Sequence, residues 1–197
     1  MKLFAIALAA AVAFGAVTAP PKSKTAGNPT APLTLELYGD FTCPHCKMVH
    51  ETMLPIIVRD YVAPGKAYLI FRDYVLTGPG HEQSRPAATW ADAAARIGRY
   101  QTAADALFRT QNSWAMSGQI WPNISSAFTP EEQKKLQELV KDPATAAMVQ
   151  NDIDSGNMVP IMQTPTMVIT YKGKKQPWTA WTSYPLLKSY LDSLLAK

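Results

Sequence analysis

Leu33, Leu35 and Leu37 alternate with Thr34, Glu36 and Tyr38, and this period of two predicts a strand over "LTLELYG". The spacing then lengthens. Cys46, Val49, Met53 and Ile57 fall at steps of three and four, which predicts a helix from Cys43 to about Tyr61 with one apolar face. Pro55 sits inside that pattern, has no N–H to give its helix, and predicts a kink. "KAYLIFRDYVL", residues 66–76, is a nearly continuous apolar run rich in aromatic and branched side chains, the pattern of a buried strand.

Residues 81–155 carry helical patterns throughout, from the alanine-rich "RPAATWADAAARIGRY" into "QTAADALFRTQ". Thr129 before Pro130, with Glu132 three residues on, has the form of a capping box, and Asp142-Pro143 restarts a helix in the same way. Glu131, Glu132, Lys134 and Lys135 read as the solvated face of that helix. Thr166–Tyr171 predicts a strand, Lys172-Gly173 a turn into a second strand, and "SYPLLKSYLDSLL" a last amphipathic helix. Two early strands joined through a helix favour a parallel pair, and the late hairpin adds antiparallel strands. The expected fold class is α/β: a mixed four-stranded sheet with flanking helices, spanning 33–196 and carrying an all-helical insertion at about 81–155. Residues 20–32, "PPKSKTAGNPTAP", read as a proline-rich polar tether.

Composition adds two bounds. Hydrophobic residues make up 47% of the 197, enough to build a core without staples, and the net charge of +4 is scattered, with no dense basic block to bind nucleic acid. Lys2 precedes an apolar stretch from Leu3 to about Ala16, followed by small residues. Residues 1–19 therefore read as a secretory signal peptide, or as an N-terminal anchor, and place the folded part in a periplasmic or other extracytoplasmic compartment where disulfides persist.

The chemistry centres on the two cysteines of the chain, Cys43 and Cys46, in "FTCPHCK". Haem attachment needs a histidine after the second cysteine, and Lys47 stands there. A metal site would need Cys43, His45, Cys46 and His50 to converge from one helical segment, and the remaining histidine is the distant His81. No metal is expected. A structural disulfide closing so short a loop removes little unfolded-state entropy. A redox pair is the best reading. Cys43 falls at the N-cap and Pro44 at the first helical position, so free N–H groups and the helix dipole favour a Cys43 thiolate. Cys46, one turn in, is placed to resolve a mixed disulfide on Cys43. His45, between them, adds positive character and is the expected tuning residue beside Pro44. His50 and His81 read as packing residues.

The motif Phe41-Thr42-Cys43-Pro44-His45-Cys46, the kinked helix after it, and Thr164-Pro165-Thr166 before a late strand resemble the DsbA-like branch of the thioredoxin superfamily. With a helical insertion of about 75 residues between its halves, the resemblance covers roughly 33–196. It implies a thioredoxin fold, a cis Pro165 facing the cysteines, and substrate chain bound beside Thr164 and Pro165. It also implies a buried acid beneath the cysteines that assists proton transfer. Glu36 is the candidate, with Asp40 as competitor or turn former.

The function implied is an extracytoplasmic thiol:disulfide oxidoreductase without cofactor, most directly an oxidase donating its Cys43–Cys46 disulfide to exported proteins with free thiols. Recycling would fall to a quinone-linked membrane oxidase of the DsbB or vitamin-K-epoxide-reductase type. The alternatives are a disulfide reductase or isomerase on the same fold, or a metal-binding or adaptor module. Trp178 and Trp181 read as core or edge packing.

Overall fold

A computed structural model describes residues 17–159, 161–181 and 183–196. Most of the expected signal peptide or anchor, residues 1–16, lies outside the described residues. Within them no helix is long and apolar enough to cross a membrane.

The predicted order of elements is present. Strand β2 (Leu33–Gly39) leads through a tight turn into α1 (Pro44–Met48), which continues through a π-helical turn into α2 (Leu54–Ile57) and a second π-helical turn ending at Val62. This is the helix expected from Cys43 to about Tyr61. Pro55 lies at the second position of α2, directly after the first π-helical turn, so the winding widens where its missing N–H breaks the ladder. Strand β3 (Ala67–Asp73) pairs parallel with β2, as a right-handed crossover through a helix requires. Strands β4 (Thr166–Tyr171) and β5 (Lys174–Trp178) form the antiparallel hairpin, turned at Lys172 and Gly173 with positive φ, and β4 pairs with β2. Helix α9 (Tyr184–Leu195) closes the chain.

The helical block comprises α3 (Ser84–Ala95), α4 (Tyr100–Arg109), α5 (Gln111–Trp114), α6 (Ile120–Ile124), α7 (Pro130–Leu139) and α8 (Pro143–Asn157). Both expected caps are formed. Thr129 and Glu132 exchange the two bonds of a capping box, and the Asp142 side chain accepts from the Ala144 N–H at 2.9 Å. Small alanines at 87, 91, 94 and 103, all fully buried, let α3 and α4 approach each other closely.

The tether requires correction, and with it the strand count. Lys22–Lys24 forms a 3-10 turn and Thr25–Ala26 forms β1, which pairs antiparallel with β3 at the sheet edge. The sheet is therefore five-stranded, in the order β1-β3-β2-β4-β5. Gly27 makes this docking possible: its φ is +89°, and a Cβ there would lie 2.7 Å from the Ala67 carbonyl oxygen. A two-residue strand is too short to show alternation. The segment is held instead by the Lys24 side chain, 1% exposed, which reaches into the protein.

Register fixes the two faces of the sheet. Leu37 pairs with Phe71 and Gly39 with Asp73, so Leu33, Leu35 and Leu37 share a face with Ala67, Leu69, Phe71 and Asp73. The opposite face carries Glu36 and Tyr38 opposite Ile70 and Arg72. This assignment decides which residues can lie beneath the cysteines.

Candidate active site

Cys43 caps α1. Its Sγ accepts from the Cys46 backbone N–H at 3.4 Å, and Pro44 occupies the first helical position. Both thiols are free and buried, Cys43 7% and Cys46 4% exposed. The Cys46 thiol's hydrogen bond is the largest influence on Cys43. Burial opposes it, while Thr164 and the backbone N–H groups of Cys46 and His45 reinforce it, and the Cys43 thiol is lowered from 9.0 to about 6. Cys46 moves the other way, pushed well above its ordinary value by burial and then by Cys43 itself. One thiolate is thus favoured at Cys43, and its proton-bearing partner is Cys46.

Thr164-Pro165 is a cis peptide bond, and the Thr164 carbonyl oxygen lies 3.5 Å from Cys43 Sγ. A loop 121 residues away in sequence therefore forms the second wall of the site. Trp181 holds that wall: its indole N–H donates to the Pro165 carbonyl at 2.8 Å, and the ring is buried. Trp181 is packing, as its sequence suggested, but it is packing against the site. Trp178 stacks on Tyr190 of α9, 5.3 Å between centroids, away from the cysteines.

His45 is exposed, and its backbone N–H, at the open end of the helix, is what it brings to Cys43. His50 bonds Asp105 at 2.7 Å and lies against Phe108, and His81 bonds the Thr42 hydroxyl at 2.8 Å. Both are packing contacts, as expected.

Glu36 requires the second correction. It projects from the face of β2 opposite Leu37, where it accepts from the Tyr38 hydroxyl at 3.0 Å and lies 3.9 Å from Arg72. The position that lines the space under Cys46 belongs to Leu37, paired with Phe71. The one-residue offset puts the carboxylate on the wrong side of the sheet.

Asp40 is a turn former, and an exacting one. Its buried carboxylate accepts from the Thr42 N–H at 2.7 Å, the Thr42 hydroxyl at 2.6 Å, the Ser84 hydroxyl at 2.9 Å and the Leu76 N–H at 2.7 Å. Its own N–H donates to Cys46 Sγ at 3.4 Å. Gln111 secures the same loop from the helical block, donating to the Phe41 and Cys43 carbonyls at 2.7 and 3.1 Å. Gln111 carries no local motif, and nothing in its sequence neighbourhood points to the cysteines 68 residues earlier.

The Thioredoxin family model matches residues 20–183. The chain belongs to that family. Among curated proteins, 161 residues are 29% identical to the Na(+)/H(+) antiporter NhaA 1 of Mycolicibacterium gilvum, covering 82% of this chain but 25% of the antiporter's length. A further 152 residues' match is 24% identical to disulfide bond formation protein D of Bacillus subtilis, covering 74% of this chain and 67% of that protein. Among solved structures, Wolbachia pipientis alpha-DsbA1 superposes with a TM-score of 0.70 at 21% identity, over 88% of this chain and 90% of that one. In this thioredoxin-family member the fold, the helical insertion and the cysteine-bearing helix start agree with the resemblance carried by C-P-H-C and Thr-Pro.

Proposed function

We propose that the chain catalyses dithiol–disulfide exchange on exported proteins, with Cys43 as nucleophile and Cys46 as resolving thiol. The observation that carries this is the opposed ionisation of two cysteines one helical turn apart, with the acidic one against a cis Thr164-Pro165 wall. A substrate thiolate attacks Cys43 of the disulfide and Cys46 leaves with the electron pair of the S–S bond. A second substrate thiol then attacks the substrate sulfur of the mixed disulfide, and Cys43 leaves as the stabilised thiolate. The substrate dithiol is oxidised and the protein is reduced. The Thr164 carbonyl lies beside the point of attack, and an extended substrate chain would lie along Thr164 and Pro165. Pro44 and His45 tune Cys43 through the geometry of the helix start.

The apolar stretch after Lys2 supports an extracytoplasmic location. A thiol held near 6 gives its disulfide away more readily than an ordinary cysteine pair, which favours the oxidase direction, with regeneration by a quinone-linked membrane oxidase. The reductase reading has its own support, since a reactive cysteine near 6 lies closer to the ~7 of thioredoxin than to the ~3.5 of DsbA. One unit below thioredoxin at pH 7 corresponds to about 1.4 kcal/mol, or roughly 30 mV for two electrons.

Titration with glutathione buffers tests the direction. A potential above that of thioredoxin, with the reduced form melting higher, supports the oxidase. A lower potential with a more stable disulfide form moves the function to reduction. Cys43→Ala should abolish exchange and Cys46→Ala should accumulate mixed disulfides, and undiminished exchange by the Cys43 variant would sink the mechanism.

A further inference from the structure

The sheet edge furthest from β1 carries a cleft that the thiol chemistry does not use. Ile169 and Tyr171 of β4 lie on one face of the hairpin, opposite Gln176 and Lys174 of β5. Helix α9 packs against that face where Tyr190 stacks on Trp178. Towards the turn, a cleft of about 330 Å³ lies between the hairpin and the last turns of α9. Ile169, Tyr171, Tyr190 and Leu194 form its apolar wall, and Lys172, Lys174 and Lys175 stand around it.

The charge at this end of the molecule is one-sided. All three lysines are exposed, and Lys174 and Lys175 enter no salt bridge among the described residues. Lys172 Nζ lies over the Tyr171 ring, 5.1 Å from its centroid. Lys66 comes to the same end of the sheet: its carbonyl accepts from the Leu33 N–H at 3.2 Å, and Leu33 pairs with Tyr171. The one acid of α9, Asp192, does not line the cleft and is engaged by Lys188 and the Tyr61 hydroxyl. A bare inorganic anion is a poor match, because it would leave the apolar wall in water. A molecule with an anionic head and an apolar body fits both halves. Its phosphate meets the ammonium groups, its glycerol and acyl part covers Ile169 and Leu194, and the tyrosines suit the boundary between the two.

We propose that the cleft between the hairpin and α9 binds the headgroup of an anionic phospholipid, and that this lysine-bearing end docks the protein on an anionic membrane surface. Each lysine near such a surface strengthens binding about 5-fold. Leu33 and Gly39 lie at opposite ends of β2, about 20 Å apart, and Cys43 follows Gly39. Docked by the Leu33 end, the protein holds Cys43 and the Thr164 loop away from the surface.

Vesicle sedimentation of the full chain tests this, with phosphatidylcholine alone set against phosphatidylcholine mixed with phosphatidylglycerol. The zwitterionic vesicles register whatever the apolar N-terminal stretch contributes, so the readout is the ratio of the two affinities. Wild type should bind the anionic vesicles at least ~10-fold more tightly, and the ratio should fall as salt is raised. The double variant Lys174→Glu, Lys175→Glu should bring the ratio close to one with its melting temperature in place, since both side chains are exposed. Lys134→Glu with Lys135→Glu makes the same change of charge on the exposed face of α7 and should leave most of the ratio intact. A wild-type ratio near one, or equal losses in the two double variants, overturns the proposal. Inorganic phosphate separates the two sources of the headgroup chemistry. It should neither displace the protein from anionic vesicles nor raise its melting temperature beyond an equal ionic strength of chloride. Displacement together with a raised melting temperature would make the cleft a free-anion site and overturn membrane docking.

Discussion

At the start of α1, Cys43 faces backbone N–H groups supplied within its own helix turn; at the end of β3, Lys24 faces three carboxylates supplied by three separate elements. The first region needs four consecutive residues at a helix N-terminus with the Thr164 loop beside them, and it shifts a thiol first through the hydrogen bond of the neighbouring Cys46 thiol and then through Thr164 and backbone N–H groups. The second needs the finished tertiary structure, and it places full charges in the interior, where each is tolerable only because the others are there. One is assembled by local geometry, the other by convergence. The difference predicts that the thiol pair keeps its chemistry under mutations that damage the fold, whereas the cluster fails as a unit.

The largest effect should come from Lys24→Met. The substitution keeps the length of the side chain and removes its charge, leaving Asp73, Asp92 and Asp152 with Arg72 alone. Breaking a buried ion pair from one side costs about 3–5 kcal/mol. Chemical denaturation should show a loss of that size. The Cys43 thiolate absorbance titration should stay in place, since the groups that lower it, Cys46, His45 and Thr164, lie on the helix turn and the Thr164 loop. A mild loss of stability with a displaced Cys43 titration would mean that the two regions are not built on different principles.

This division also sets what was legible from residues alone. Alternation over Leu33, Leu35 and Leu37 and the lengthened steps after Cys46 announced β2 and α1, because each is a local periodicity that burial enforces. The capping box at Thr129 was legible for the same reason. Lys24 was not, because nothing in "PPKSKTAG" separates an ammonium that inserts among carboxylates from one that points to water. Asp73, Asp92 and Asp152 lie 19 and 60 residues apart in the chain and meet only through the packing of β3, α3 and α8. Glu36 was misplaced by a single step along β2. A strand reverses face at every residue, so an error of one is the largest error that register allows. Gln111 and Trp181 act on the site through one side-chain N–H group each, a contact that leaves no pattern in sequence.

Trp181→Phe is the intermediate case, since it joins a distant residue to the thiol wall. Phenylalanine keeps an aromatic ring in the buried position but leaves the Pro165 carbonyl without its donor at 2.8 Å. An orphaned buried acceptor costs about 1–3 kcal/mol. Thermal denaturation should show that loss, and exchange with a peptide thiol should weaken chiefly through binding, because the wall beside Cys43 loses its anchor. Unchanged peptide affinity would confine Trp181 to packing.

The smallest effect separates the two regions by sign. Cys43 is depressed in the folded, reduced protein from 9.0 to about 6. Its thiolate therefore stabilises the fold fully above pH 9, and the contribution is lost as pH falls towards 6. At pH 7 it amounts to about 1.4 kcal/mol, and it is absent from the disulfide form. Asp92 is raised from 3.8 to about 7, so the folded state binds the proton more tightly than the unfolded chain does. Its contribution has the opposite slope: stability falls as pH rises from about 4 to about 7, in both redox states. Denaturation of the oxidised protein should isolate the downward slope. The difference between reduced and oxidised curves should isolate the upward one, growing from pH 6 to pH 9. Parallel curves in the two redox states would remove the Cys43 thiolate from the argument. A rising curve in the oxidised state would remove the protonated cluster.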